Sequence, residues 1–316
     1  MAVIIGESGA WKQVRQLAWQ AGILVEQPAH IPLQLAKARQ ALLQQDTLAR
    51  DDLAVQRIAL ERRVAHERIS ADRDIALIRA RSDESLAHLA PRPWTAIVRA
   101  ARRAQMQRQI RRRSEAVVLA ERTLDDFIAH EETEVARRVD AANKVVVNIE
   151  AVANSRELAG AVAELDVIRT LSALPDSYTL LNDVSIGAQH PVPSGNSSTV
   201  TAQLNHLLIG PTGVSAITTL NWSRDFLQEG DHTDPIRSIV QACALCRSVL
   251  KDAGIDQRVE AVIVCAEAMP ENPGGERVAV MPITRLLGYV QHAAPRLSLD
   301  ETQRVLRALA VPAQTR

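Results

Sequence analysis

Four carboxylates in the second half of the chain, Glu164, Asp166, Asp183 and Glu267, are of the type that holds a hard divalent cation. If the fold brought them together, such a cation could activate a water and neutralise charge on a phosphodiester. Their wide separation leaves that to tertiary structure. Cys243 and Cys246 stand three apart on a predicted helix, hence on one face, and Cys265 would add a third soft ligand. No fourth ligand follows at a zinc-like spacing, so the three read as buried small hydrophobes. The stretch Gly6-Glu7-Ser8-Gly9-Ala10-Trp11-Lys12 has the glycines and lysine of a phosphate cradle but lacks the Gly-Lys-Ser/Thr ending. It reads as a small packed cap. Between Glu84 and Glu115 there is no acid, while Arg92, Arg99, Arg102, Arg103, Arg108, Arg111, Arg112 and Arg113 fall in that window. These guanidinium groups are candidates to meet nucleic-acid phosphates or another acidic surface. The plainer alternative is a solvated helix face.

The segment from Ala202 to Ser223 reads as a hairpin: two apolar runs of strand length flank Gly210-Pro211-Thr212-Gly213, where Pro211 sets φ and Gly213 accepts φ > 0. Gln203, His206, Pro211, Gly213, Val214, Asn221 and Trp222 carry a family resemblance. The string resembles the central hairpin of the nuclease-related domain (NERD), a member of the PD-(D/E)xK nuclease superfamily. The resemblance places Asn205 where that family has Asp, Thr218 where it has Glu and Leu220 where it has Lys. Gly160-Ala161-Val162-Ala163-Glu164 is similar to the family's Gly-x-x-Gly-Glu, so Glu164 is the family acid that survives. Two anionic ligands and a cation are thus replaced by neutral side chains, which implies a nuclease-like scaffold without catalysis, no catalytic residues and no bound metal. His206 follows Asn205 and should face away from it on a regular strand, as a packed or hydrogen-bonded residue.

The elements that must position these residues fall into two halves. From Ile31 to Leu89 there is no glycine and one proline, Pro32, which fits a first helical turn. Ile31, Leu42, Leu53, Val64, Ile75 and Leu86 recur every eleven residues, with Ala49, Leu60 and Ala71 interleaved, a period that runs nearly straight. Pro91-Arg92-Pro93 breaks this helix, and Val117, Leu124, Ile128, Val135, Val139 and Val146 repeat the seven-then-four spacing beyond it. An antiparallel helical hairpin over 31–153, coiled-coil-like, with its break at 91–93, follows. The expected organisation is a cap over 1–30, that hairpin, and a nuclease-like domain over 154–316. In the last, Asn154-Ser155 supplies a cap for a helix, Tyr178–Val184 is a strand, Gln189–Thr199 is a polar loop, Asp234-Pro235 opens a helix, and Val259–Cys265 and Val278–Val280 are strands before two closing helices. The fold class is α+β: the hairpin followed by a PD-(D/E)xK-like α/β sandwich with a mixed sheet.

Composition narrows the partners without choosing one. The 316 residues carry 37 basic and 37 acidic side chains, and aromatics are scarce at 3%, which disfavours an aromatic nucleic-acid platform. No apolar run is long enough to span a membrane and no secretory signal opens the chain, so a cytoplasmic protein is expected. The stripes of the hairpin exceed what two helices shield, so a homo-oligomer, most simply a dimer, is expected through the helical half. Three functions remain open at this level: a catalytically inactive nuclease-like module that binds nucleic acid or protein; an active nuclease with relocated acids, requiring Mg2+; and a purely structural coiled-coil protein. The first is favoured, with no cofactor and with DNA, RNA or a protein as partner.

Overall fold

The structure, a computed structural model, describes residues 1–87, 93–194, 197–221, 233–269 and 277–310. Along the chain these form β1 (Val3–Ile5), α1 (Gly9–Gln20), α2 (His30–Ala87), α3 (Pro93–Ala153), α4 (Arg156–Ser172), β2 (Thr179–Ser194), β3 (Ser197–Gly210), β4 (Gly213–Leu220), α5 (Thr233–Asp252), β5 (Val259–Cys265), β6 (Val278–Pro282), α6 (Ile283–Gln291) and α7 (Leu299–Ala310). They divide into two units, Met1–Gln34 with Asn148–Arg316, and Leu35–Val147. The fold is α+β, with long helices before a mixed sheet.

The larger unit is built on a six-stranded sheet in the order β1-β2-β3-β4-β5-β6. β1 is parallel to β2, β2, β3 and β4 are mutually antiparallel, and β5 and β6 run parallel to β4. Both faces are covered, which is why the central strands are apolar on both sides. On one face Val167, Leu171 and Leu174 join Leu180, Leu208, Ile217, Val262, Val264, Leu286 and Val290. On the other, Ile239, Leu245 and Leu250 of α5 and Val305 and Leu309 of α7 meet Leu181, Val184, Leu204, Leu207, Val214 and Ile263. Pro211 and Thr212 make the β3–β4 turn, with Gly210 paired to Gly213, whose φ of 121° suits glycine. Ser155 caps α4, its Oγ accepting from the backbone N–H of Leu158 at 3.1 Å.

Two features depart from the sequence reading. Part of the polar loop expected over Gln189–Thr199 is instead ladder: after a register break between Gly187 and Val192, Val192 lies opposite Thr199 and Ser194 opposite Ser197, while residues 195 and 196 lie outside the described residues. Pro191 and Pro193 are tolerated because β1 pairs only with Thr179–Leu181, leaving this part of β2 an open side that needs no donor. Val3–Ile5 supplies an edge strand that the sequence reading did not foresee, and α1 packs beside α4.

In the other unit α2 and α3 lie antiparallel. Arg50 pairs with Glu132, Arg57 with Glu131, Arg68 with Glu121, and Asp74 with Arg113, one number falling as the other rises. Such exposed pairs add little stability but select the register. Leu53, Val64, Ala71, Ala120 and Val135 are buried along the seam. Ile128 departs from its expected place and is 46% exposed, because strict repetition of the spacing carries that position off the seam. α2 ends at Ala87 and α3 starts with Pro93 as its first residue, where a missing N–H costs nothing. Pro91 and Arg92 of the expected break lie outside the described residues, as does Trp222.

A Cβ placed on Gly210 would overlap the ring of Tyr178. Gly210→Ala is therefore expected to lower stability by about 1–3 kcal/mol, measured by urea unfolding, through overpacking of the hairpin end.

Candidate functional site

Glu164 lies on the buried face of α4, turned toward the sheet, and is 5% exposed. Its Oε2 accepts from Ser8 Oγ at 2.5 Å and from the backbone N–H of Ala10 at 3.3 Å, while Oε1 accepts from Asn205 Nδ2. Ser8 is also the N-cap of α1, accepting from the backbone N–H of Trp11 at 3.0 Å. A buried carboxylate thus sits against the positive end of a helix, where such a charge is stabilised. The orientation of Asn205 follows from its neighbours: the N–H of Thr219 can only donate, so it takes Oδ1 at 3.2 Å and leaves the amide N–H for Glu164. Burial pushes the Glu164 carboxyl above its usual range, against the pull of the Ser8, Ala10 and Asn205 hydrogen bonds, and nearby Asp183 adds to the rise.

Asp183 forms the adjoining part of the site. Its Oδ2 pairs with Lys12 Nζ at 2.7 Å and its Oδ1 accepts from Gln203 Nε2 at 2.5 Å. Its φ of 53° lies in the left-handed region, the single non-glycine residue with positive φ among those described. This breaks the alternation of both strands: Leu181 and Val184, three apart, enter the same core cluster, and so do Leu204 and Leu207 opposite them. Asn205 and its neighbour His206 consequently both face α4.

That corrects the expected placing of His206, which does not turn away from the Asn205 side. It is fully buried and its Nδ1 lies 2.8 Å from Asn182 Oδ1. Asn182 Nδ2 donates to Gly6 O at 3.2 Å, which fixes Oδ1 toward the imidazole and the proton on Nδ1. Nε2 then carries a lone pair with no hydrogen-bond partner among the described residues. Burial drives the His206 pKa down to about 3, so the ring is neutral.

The remaining candidates separate from this site. Thr218 pairs with Ile263 and Leu220 with Cys265, which places both on the face of β4 toward α5, away from Glu164. Thr219 is the β4 residue at the site. Asp166 pairs with Arg169 at 2.9 Å, and Glu267 is exposed on the segment after β5. Among the described residues no three His, Cys, Asp or Glu side chains converge as a metal site. Cys243, Cys246 and Cys265 are buried in the core, and desolvation raises the Cys243 thiol to about 12 and Cys265 to about 11. Of the arginine window, Arg102 donates to Ser85 O at 2.8 Å, Arg111 pairs with Glu115 and Arg113 with Asp74, and Arg99 is half-buried. Arg103, Arg108 and Arg112 are exposed. Ser8, Lys12 and Thr219 are the site residues that sequence reasoning missed; Ser8 before a helical run is a cap signal, but nothing local ties it to Glu164.

The family model of the nuclease-related domain matches residues 159–266, from α4 to the end of β5. The C-terminal half of the chain thus carries the nuclease-related match, and Glu164, Asp183, Asn205, Thr218 and Leu220 all fall within it. Ser8 and Lys12 come from outside it. No curated protein and no solved structure matches the chain.

An imidazole whose folded pKa lies below its unfolded value binds fewer protons when folded, so stability falls as pH drops from the ordinary 6.5 toward about 3. His206→Gln keeps a donor for Asn182 but does not titrate. In urea unfolding at pH 7, 5.5 and 4.5, the parent is expected to lose up to about 1.4 kcal/mol per pH unit relative to the variant.

Proposed function

We propose that the nuclease-related unit is a non-catalytic module joined to a self-associating helical hairpin, and that the protein works as a nucleic-acid-binding scaffold. One observation carries the loss of catalysis: all four carboxylate oxygens of Glu164 and Asp183 are taken by donors of the chain itself, namely Ser8, Ala10, Asn205, Gln203 and Lys12. A hard cation needs such oxygens turned to open space. Here the Asn205 amide N–H lies where a cation would bridge an acid at 205 to Glu164. No Mg2+ is needed in this reading, and no cofactor.

Nucleic acid is the partner favoured for the hairpin because Arg103, Arg108 and Arg112 are exposed in a window without acids. No helix among the described residues is long and apolar enough to cross a membrane. A cytoplasmic location suits the three unpaired thiols.

A second reading rests on Lys12, which brings a cation beside two neighbouring carboxylates. An active, relocated nuclease would use Lys12 with Glu164 and Asp183. The two readings part in a cleavage assay on DNA and RNA with Mg2+ or Mn2+. The expected result is no turnover by the parent; turnover abolished by both Lys12→Ala and Asp183→Asn would install the second reading.

Asn205→Asp sets an uncompensated carboxylate against Glu164. It is expected to cost about 1.5–3 kcal/mol at neutral pH in chemical denaturation, the loss shrinking as acid protonates the pair. Joint substitution of Arg103, Arg108 and Arg112 by Glu should weaken nucleic-acid binding and flatten its salt dependence, read by fluorescence anisotropy across a salt series.

A further inference from the structure

The buried seam accounts for one side of α2. Leu48, Val55, Ile58, Ile69 and Leu77 are on another, with Val55 67% and Ile69 70% exposed. Val55 and Leu77 are separated by two eleven-residue repeats, and Ile58 and Ile69 by one. At that period each pair lies on a line parallel to the helix, and the five together occupy an arc centred opposite Leu53 and Val64. α2 thus carries apolar side chains on two opposed sides; α3 covers one, and the other is interspersed with Asp51, Arg62, His66 and Arg73.

We propose that this outer stripe of α2 is the surface through which two copies of the chain associate, in antiparallel fashion about a two-fold axis near Arg62. The proposal rests on the self-association reading above and assigns it a face. Three observations select a second copy as the occupant. First, a straight stripe with an eleven-residue repeat is matched along its length by a helix of the same pitch, which a second α2 is. Second, the charges within the stripe are self-complementary. Asp51 and Arg73 are exposed on one line of the arc, equally spaced before and after position 62. A two-fold axis there sets Asp51 of each copy against Arg73 of the other, and Val55 against Ile69, with the Arg62 guanidinium groups free to extend outward to water. Third, the size suffices. From Leu48 to Leu77 the stripe runs about 44 Å at 1.5 Å per residue. With a helix about 11 Å wide, two copies would bury on the order of 1,000 Å², the lower end of the range for a biological interface and in keeping with micromolar association.

The test is sedimentation equilibrium of the full chain, with helicity checked by circular dichroism. The parent is expected to dimerise at micromolar concentration. Val55→Glu with Ile69→Glu should raise the dimer Kd at least tenfold, while Leu119→Glu, on the exposed side of α3, should leave it unchanged. Asp51→Arg alone should weaken the dimer, and Asp51→Arg with Arg73→Asp should restore it, as only an intermolecular pair allows. A parent that stays monomeric at tens of micromolar overturns both the association and its surface. A dimer indifferent to Val55→Glu with Ile69→Glu overturns the surface alone.

Discussion

A carboxylate withdrawn from water must be met by donors, and much of the larger unit is arranged around how Glu164 is met. Two of its partners come from the start of the chain and one from the middle of the sheet, so the side chain ties α1, α4 and β3 together at one point. The cost of removing a charge from solvent is offset because one donor belongs to a helix N-terminus and another is an amide locked by the N–H of Thr219. None of these could be exchanged singly without exposing the others to an unmet charge. The same economy explains why Asn at 205 is more than an absent acid: it donates to Glu164, which an aspartate cannot do.

Asp183 has a comparable influence on side-chain direction. Its left-handed backbone turns two consecutive residues of each strand to the α4 side, and so Asn182, Asp183, Asn205 and His206 share a polar strip beneath α4. Lys12 and Gln203 hold its carboxylate, and Gly9 leaves the space in front of it, where a Cβ would collide with Oδ1. The strain of the residue is thus supported from both the N-terminal helix and the neighbouring strand.

Legibility in the sequence tracks the range of the interaction. The Ser155 cap, the Pro211-Thr212 turn and the Val259–Cys265 strand depend on neighbours within a few residues, and each could be read. The eleven-residue seam was legible for the same reason, since helical periodicity is local. The bond from Ser8 to Glu164 joins residues 156 apart in sequence and has no local signature. Unbroken alternation would turn His206 away from Asn205, and the left-handed residue that interrupts it, Asp183, lies on the partner strand, far from His206 in sequence. Thr218 and Leu220 were aligned by motif, whereas the face they occupy is decided by pairing with β5.

The position of β1 bears on how the protein is made. Residues 3–5 join their sheet by pairing with residues 179–181, so this strand waits for the whole of the intervening chain before it has a partner. Between them, α2 and α3 pair with each other in antiparallel register, contacts that form early and shorten the effective loop that β1 must close. During synthesis the helical excursion can therefore fold as a self-contained insertion, while Val3, Ile4 and Ile5 stay available to chaperones or to wrong strands. β1 therefore joins the sheet only after α1 to α4 have been made, although it precedes them in sequence.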